Sequence, residues 1–152
     1  LIKYKDHPKY SCDEVLNTFL TFRTDIVKPQ VKTIEEELED NENRISDLIN
    51  HELDLIGVTV KLKGRKYIHD AILYLIQNEN SNVNVIQHLT KIYKKSGNTI
   101  TNGIQNAIIH AWRVSDVNDL EEYYTAKVNY ETGVPTPMEF IYYYVDKIKK
   151  LI

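Results

Sequence analysis

The chain has 152 residues, a formal net charge of −3, and a composition that is 42% hydrophobic and 27% charged. This length and balance are typical of one ordinary soluble domain with an extension. No run approaches the 18 apolar residues of a membrane span, no secretory signal opens the chain, and the lone Cys12 excludes an internal disulfide. These features favour a cytoplasmic protein. The acidic total argues mildly against a nucleic-acid partner, although the local distribution of charge decides that question.

The first part of the chain predicts two helices. Ser11 or Asp13 can cap the first, which carries apolar residues at helical spacing: Val15, Leu16, Phe19 and Leu20. Pro29 lies near the start of the second helix, in which apolar residues follow a heptad phase: Val31, Ile34, Leu38, Ile45, Leu48 and Leu55. Asn41 and Glu52 interrupt this seam. Two interpretations stay open, namely a short coiled coil and an amphipathic helix packed on its own domain.

The remainder of the chain predicts further helices separated by short links. Gly57 ends the heptad helix, and "VTVKLK" is a brief extended link or a tiny strand. Phased apolar residues begin new helices at Ile68, at Val85 and at Ile100. A short helix is expected over 117–124, and a last helix from Met138 onward buries Ile141, Tyr144, Val145 and Ile148. The chain therefore predicts an all-α fold.

No pattern of residues indicates catalysis or a metal site. The chain has no glycine-rich phosphate loop, no paired cysteines, and no two histidines at a spacing of four. The neighbours His69 and Asp70 point about 100° apart on a helix, as do His51 and Glu52, so neither pair is expected to join a base to its orienting acid. We expect no enzyme, no cofactor and no bound metal.

A helix-turn-helix is predicted over 83–115. The turn "KKSGNT" contains glycine, and Thr99 or Thr101 can cap the helix that follows it. The inward side chains of the two helices are Leu89, Ile92, Ile104, Ile108 and Ala111. The opposite face is polar and suits insertion into a major groove. The candidate DNA-binding residues are Lys91, Lys94, Lys95, Asn98, Thr99, Thr101, Asn102, Gln105, Asn106, Ile109 and Arg113.

Four stretches of the chain resemble one known family. They are "IGVTVKLKGRKYIHDAI" (56–72), "IYKKSGNT" (92–99), "IQNAIIHA" (104–111) and "PTPMEFIYYYVDKI" (135–148). In this order and spacing they resemble the C-terminal effector domain of the sporulation master response regulator, the stage zero sporulation protein A family of endospore-forming bacteria. The likeness spans about 45–152, which leaves 1–44 as a helical N-terminal extension with a dimerising role as one option.

The resemblance implies a six-helix DNA-binding domain that acts as a transcription factor, with two copies on adjacent half-sites. The recognition helix of the family carries arginines that face DNA, whereas this chain has Gly103, Asn106 and Ile109 at those positions. Gln105 replaces an acidic residue. The family also places a receiver domain upstream, and only about 45 residues precede the effector region here. Either a receiver lies outside this sequence or the protein is a relative without one.

The sequence leaves two functions open, and they belong to different classes. In the first, the chain is a DNA-binding regulator with altered base specificity, because asparagine and glutamine can bind adenine in place of arginine on guanine. In the second, it keeps the fold, has lost DNA binding, and modulates a related full-length regulator as an interaction module. The heptad seam also predicts a homodimer in solution through residues 30–45. The first function is favoured because the turn and the fold are retained. A second interpretation of the polar face of the helix is that its side chains are simply solvated and bind nothing.

Overall fold

The computed structural model describes residues 32–152, in which every regular element is a helix. The helices are α1 (Ile34–Ile56), α2 (Lys63–Gln77), α3 (Val85–Tyr93), α4 (Gly97–Val114), α5 (Val117–Tyr123) and α6 (Pro137–Leu151). The all-α prediction is confirmed. The predicted helix that Ser11 or Asp13 would cap lies outside the described residues. A division into two compact units falls inside α1, between Asn41 and Glu42.

The second half of α1 packs through a stripe that differs from the predicted heptad seam. Ile45, Ile49, Leu53 and Ile56 are buried, whereas the predicted seam residues Leu48 and Leu55 are only partly covered. The spacing of three and four residues is that of an ordinary amphipathic helix face. From Ile45 onward, α1 is therefore a helix of the domain core, as the second of the two interpretations held.

Gly57 ends α1 with a positive φ of 90°, a conformation that favours glycine. The segment that follows is a turn with no strand, which corrects the prediction of a tiny strand in "VTVKLK". Arg65 stabilises this turn from α2. Its Nη1 donates to the carbonyl oxygen of Val58 at 2.6 Å and to Asp54 Oδ1 at 2.6 Å. The buried carbonyl oxygen of Val58 thus has a charged donor.

The centre of the fold is the crossing of α2 and α4, where two glycines meet. A Cβ built on Gly64 would overlap the carbonyl oxygen of Gly103 and lie 2.8 Å from Ala107 Cβ. A Cβ on Gly103 would lie 2.9 Å from Tyr67 Cε2. The two backbones therefore approach more closely than any side chain would permit. Gly103, placed by the resemblance among DNA-facing positions, instead faces the interior against α2.

An aromatic cluster joins the end of α4 to α6. Trp112 meets Tyr124 edge-on with ring centroids 5.2 Å apart, and Tyr124 stacks on Phe140 at 5.9 Å. Burial and the nearby Glu139 raise the pKa of Tyr124 to about 12.

Thr136 and Glu139 form a capping box that begins α6, with Pro137 at its first position. No helix within 32–152 is both long and apolar enough to cross a membrane.

A buried ion pair links α1 to α6. Glu52, counted in the sequence as an interruption of the apolar seam, is buried, and its Oε2 lies 2.7 Å from Lys147 Nζ. Lys147 also donates to the carbonyl oxygen of Tyr123 at 3.3 Å. Burying a carboxylate costs free energy unless a charge and hydrogen bonds compensate it. The lysine of α6 supplies that compensation.

We expect Lys147→Met to lower the free energy of unfolding by about 3 kcal/mol, because it leaves the Glu52 carboxylate buried without a cation. The double variant Glu52→Gln, Lys147→Met should recover part of that loss, since it removes the unpaired charge. Lys150→Met is the control, because Lys150 pairs with Asp146 on the exposed surface of the same helix. Urea unfolding followed by circular dichroism measures all three. A double variant less stable than Lys147→Met alone would contradict the compensation.

Candidate nucleic-acid interface

Two helices and a link of three residues, Lys94–Ser96, form the candidate interface. Asn84 caps α3 by accepting from the backbone N–H of Gln87 at 3.1 Å. The chain then turns at Lys94, which has the left-handed conformation with φ 53°. Ser96 caps α4, and its Oγ accepts from the backbone N–H of Thr99 at 3.2 Å. The prediction that Thr99 or Thr101 is the cap is wrong, because α4 begins at Gly97 and includes both threonines.

The two helices pack through fewer apolar contacts than predicted. The inner stripe of α4 is fully buried and consists of Ile100, Ile104, Ala107, Ile108 and Ala111. In α3 only Val85 and Leu89 are buried, whereas Ile92 is 50% exposed. The predicted burial of Ile92 is wrong, because it lies in the last turn of α3, beyond the last residue of that helix that is buried against the core.

The outward face of α4 carries the polar candidates. Asn102, Asn106 and Arg113 are exposed, as are Asn98 and Thr99 in the first turn. Thr101, Gln105 and Ile109 are partly covered. At 100° per residue, Asn98, Asn102, Gln105, Asn106, Ile109 and Arg113 fall within a sector of about 100° opposite the buried stripe. Thr101 lies about 40° outside that sector, beside the buried Ile108, and Thr99 hydrogen-bonds the Ser96 cap, so these two are less available to a ligand.

Three exposed lysines stand at the other end of the motif. Lys91 is in the last turn of α3, and Lys94 and Lys95 form the link itself. Amides in the first turn of a helix point outward without helical partners, and the helix dipole favours an anion there. Lysines next to the start of α4 therefore make this end attractive to phosphate. The far end differs, because Asp116, Asp119, Glu121 and Glu122 follow Arg113 and are exposed.

A shallow groove runs beside the second half of α4. It has a volume of about 460 Å³ and is lined by Gln105, Ile109, Trp112 and Arg113 of α4 and by 132–134 of the loop before α6. Gly133 has a positive φ of 73° in this loop, and its N–H donates to the carbonyl oxygen of Asn129 at 2.7 Å. The local sequence, "ETGVPTP", indicates only a loop. Its position beside α4 depends on long-range packing that no local pattern reports.

A chain of polar side chains lies behind the link. Ser46 Oγ is 2.8 Å from His69 Nε2, and His69 Nδ1 is 2.9 Å from Asp70 Oδ1. The hydroxyl of Tyr93 donates to the other oxygen of Asp70. The prediction that His69 and Asp70 do not pair is wrong, because the side-chain conformations bring the imidazole and the carboxylate into hydrogen-bond distance although the two residues are adjacent on the helix. The two groups share a pocket of about 360 Å³ with Asn50, Arg65 and Lys66.

The hydrogen bonds of this chain perturb the titration of its members. Burial alone would raise the pKa of the Asp70 carboxyl, but hydrogen bonds from His69 and Tyr93 outweigh it and hold that pKa below its usual range. Burial, and then the hydrogen bond to Asp70, raises the pKa of the Tyr93 hydroxyl. Asp70 is therefore an ionised acceptor with both of its oxygens engaged, and Nδ1 of His69 carries a proton.

A comparison with protein families agrees with this geometry. The family model of the sporulation initiation factor Spo0A C terminal matches residues 49–148, which include the last third of α1, all of α2 to α5 and most of α6. This family consists of DNA-binding effector domains of response regulators in sporulation. Of the three positions where the resemblance expects arginine, Asn106 and Ile109 face outward and Gly103 does not. The chain belongs to the Spo0A C-terminal family.

Proposed function

We propose that the protein is a sequence-specific DNA-binding regulator that reads bases through the outward face of α4. The observation that carries the proposal is that this face presents Asn102, Asn106 and Arg113 to solvent, directly opposite a fully buried stripe. An α-helix with polar side chains on one exposed face fits the major groove of B-DNA. The helix-turn-helix, within 83–115, would place α4 in the groove with α3 behind it.

The base preference is proposed to shift toward A·T pairs. Asparagine and glutamine make bidentate hydrogen bonds to adenine, whereas arginine prefers guanine. Asn102, Gln105 and Asn106 offer three such amides, and Ile109 offers an apolar contact to a thymine methyl group. Since Gly103 faces α2, it leaves no gap in the reading face. Relative to the family pattern, the outward positions Asn106 and Ile109 have changed chemistry, as has the inward Gly103.

Attraction to the phosphate backbone is assigned to the lysines of α3 and the link. Lys91, Lys94 and Lys95 are exposed, and the first-turn amides of α4 lie next to them. Contacts to phosphate position a protein on the duplex without reading its sequence. Arg113 is the corresponding cation at the other end of α4. Local positive charge at the link can therefore support binding despite a net charge of −3.

Substitutions on the two surfaces should have different effects on DNA binding. We expect Gln105→Ala and Asn106→Ala to relax base preference by roughly 1–3 kcal/mol per lost bidentate contact. Lys94→Ala and Lys95→Ala should instead weaken binding to every duplex alike and lower the salt dependence of the affinity. Fluorescence polarisation with a selected duplex and with random duplex, between 50 and 200 mM salt, separates the two effects.

Lys150→Ala is the matched control, since Lys150 is exposed on α6 and pairs with Asp146. Its affinity should equal that of the unsubstituted protein. Equal losses on both duplexes for all four interface variants would refute the division of roles. A complete lack of binding at about 50 mM salt, where phosphate attraction is strong, would refute DNA binding itself.

The alternative function is a protein-interaction module of the same fold. The groove beside α4 favours it, because Ile109 and Trp112 give this groove apolar walls. The acidic residues Glu35–Glu37 in the first turn of α1 also disfavour DNA near that end of the helix. A related full-length regulator would be the partner. Binding of that regulator together with no affinity for duplex DNA is the result that would select this alternative.

Self-association is proposed through the N-terminal part of α1. Ile34 and Leu38 are 77% and 63% exposed and lie one helical turn apart. Leu38 continues the predicted seam toward Asn41, a residue type that fixes register in coiled coils at some cost in stability. Two such helices, one from each copy, would cover both side chains. A dimer would also agree with the two copies on adjacent half-sites that the resemblance implies.

A further inference from the structure

The C-terminal end of α3 is attached to the rest of the domain through Tyr93. After Leu89 no residue of α3 is fully buried, and Ile92 points to solvent. Tyr93, the last residue of the helix, is partly buried and donates its hydroxyl hydrogen to Asp70 of α2. The position of this helix end therefore depends on the contacts of Tyr93, of which the hydrogen bond to Asp70 is one.

Tyr93 is fixed at its ring as well as at its hydroxyl. The ring meets Tyr67 edge-on, with centroids 4.8 Å apart. Tyr67 is the residue whose ring lies against Gly103 of α4. The two rings thus connect the end of α3 to the crossing of α2 and α4. A change at Tyr93 would be transmitted to the surface that holds α4.

Asp70 is itself held from the side opposite Tyr93. His69 donates to one carboxylate oxygen at 2.9 Å, and Ser46 of α1 is hydrogen-bonded to the other ring nitrogen of His69 at 2.8 Å. A hydrogen bond to an ionised acceptor is about twice as strong as a neutral one. His69 thus orients the charged carboxylate that accepts from the Tyr93 hydroxyl.

The chain continues from Tyr93 directly into the link. Lys94 has the left-handed conformation, Lys95 follows, and Ser96 caps α4. The direction in which the two lysines leave α3 is therefore set by the orientation of Tyr93. Given the proposed function, on which this inference rests, these lysines meet the phosphate backbone.

We propose that Asp70 and Tyr93 are positioning residues for nucleic-acid binding. Their hydrogen bond, supported by His69 and Ser46, orients the link so that Lys94 and Lys95 face the duplex together with the start of α4. Neither residue contacts the nucleic acid. The role is specific to the bound geometry of the link and differs from a general contribution to stability.

Tyr93→Phe tests this role because it removes only the hydroxyl group. In the full chain at a temperature where all variants are folded, the affinity for duplex DNA should fall about tenfold, the change that corresponds to 1.4 kcal/mol. The slope of the logarithm of affinity against the logarithm of salt concentration should fall by about one, as for one lost phosphate contact. Hydrogen exchange of amides 95–99 should become faster in the free protein.

Tyr143→Phe is the matched control, because its hydroxyl also hydrogen-bonds within the domain, to the carbonyl oxygen of Tyr123 at 3.2 Å. It should leave the affinity, the slope and the exchange of amides 95–99 unchanged. Asp70→Asn should reproduce the effect of Tyr93→Phe, and the double variant should add little to either single change, since the pair acts as one unit.

The outcomes separate this inference from the proposed function. If Tyr93→Phe binds DNA with unchanged affinity and salt slope, the positioning role is refuted while DNA binding stands. If Tyr93→Phe lowers the melting temperature as Tyr143→Phe does and changes nothing else, the bond is only structural and the role is refuted. If the unsubstituted protein binds no duplex at about 50 mM salt, the proposed function and the positioning role both fail.

Discussion

Gly64→Ala is expected to lower the free energy of unfolding by about 3 kcal/mol, at the upper end of the usual cost of overpacking. The new methyl group would overlap the backbone oxygen of Gly103 and crowd Ala107. A backbone carbonyl in the middle of α4 cannot move aside as a flexible side chain can. Relief therefore requires α2 and α4 to separate, which would open the centre of the core.

Two other glycines supply matched controls for this prediction. Gly103→Ala puts a methyl group 2.9 Å from a ring carbon of the buried Tyr67, but alanine also favours the helix by about 1 kcal/mol, so its loss of stability should be smaller than that of Gly64→Ala. Gly97→Ala meets only Ile86 Cγ2 at 3.6 Å, an ordinary contact, and should be close to neutral. Urea unfolding with equal slopes for all variants measures the differences. Equal stability of Gly64→Ala and Gly97→Ala would show that α2 and α4 cross at a greater distance.

The helices that could be predicted from the sequence are those with one regular apolar stripe. In α4 the residues Ile100, Ile104, Ala107, Ile108 and Ala111 are all buried, as their spacing indicates. A helix that packs on one side of a core needs only such a stripe, so the local pattern suffices. The rule works less well for α1, whose buried stripe is not the predicted seam, and for α5, in which only Leu120 is buried.

The errors of prediction arise where a distant residue determines the outcome. Glu52 interrupts an apolar seam in the sequence, yet it is buried because Lys147 reaches it from α6. Helical geometry alone predicts that His69 and Asp70 point apart. In the structure, hydrogen bonds with Ser46 and Tyr93 hold the imidazole and the carboxylate where they meet. No local window contains these partners. The error at Ser96 is of another kind, because a serine directly before the apolar residues of a helix is a common N-cap that the local sequence contains. The prediction prefers Thr99 or Thr101 to it.

The sequence predicts which residues of the candidate interface face outward, but not how far each of them is covered. The outward positions of Asn102, Asn106 and Arg113 follow from the phase of the buried stripe. The partial covering of Gln105 and Ile109 does not, because it depends on the loop at 132–134, which lines the same groove. The inward direction of Gly103 likewise depends on Gly64, a residue of another helix. Alignment to the family pattern could not distinguish a packing glycine from a lost contact.

The second large effect is expected on self-association. Leu38→Glu should weaken the proposed dimer at least about a hundredfold, because it places two new carboxylates in the seam and removes buried apolar surface. Glu35, Glu36 and Glu37 already oppose the approach of identical helices. Added salt should screen that repulsion and strengthen the dimer of the unsubstituted protein. Sedimentation equilibrium of the full chain from low to high micromolar concentration measures both effects.

Val117→Glu is the matched control, since Val117 is also an exposed apolar residue, 66% accessible, in a different helix. It should leave the dimer intact, which would separate a specific seam from a general effect of added charge. The competing occupant of the seam is the N-terminal segment of the same chain, which would cover Ile34 and Leu38 without a second copy. In that case the protein would remain a monomer at high micromolar concentration. A dimer that persists unchanged in Leu38→Glu would instead place the interface on another surface, and α1 would then contribute only its second half, from Ile45 onward, to the function of the domain.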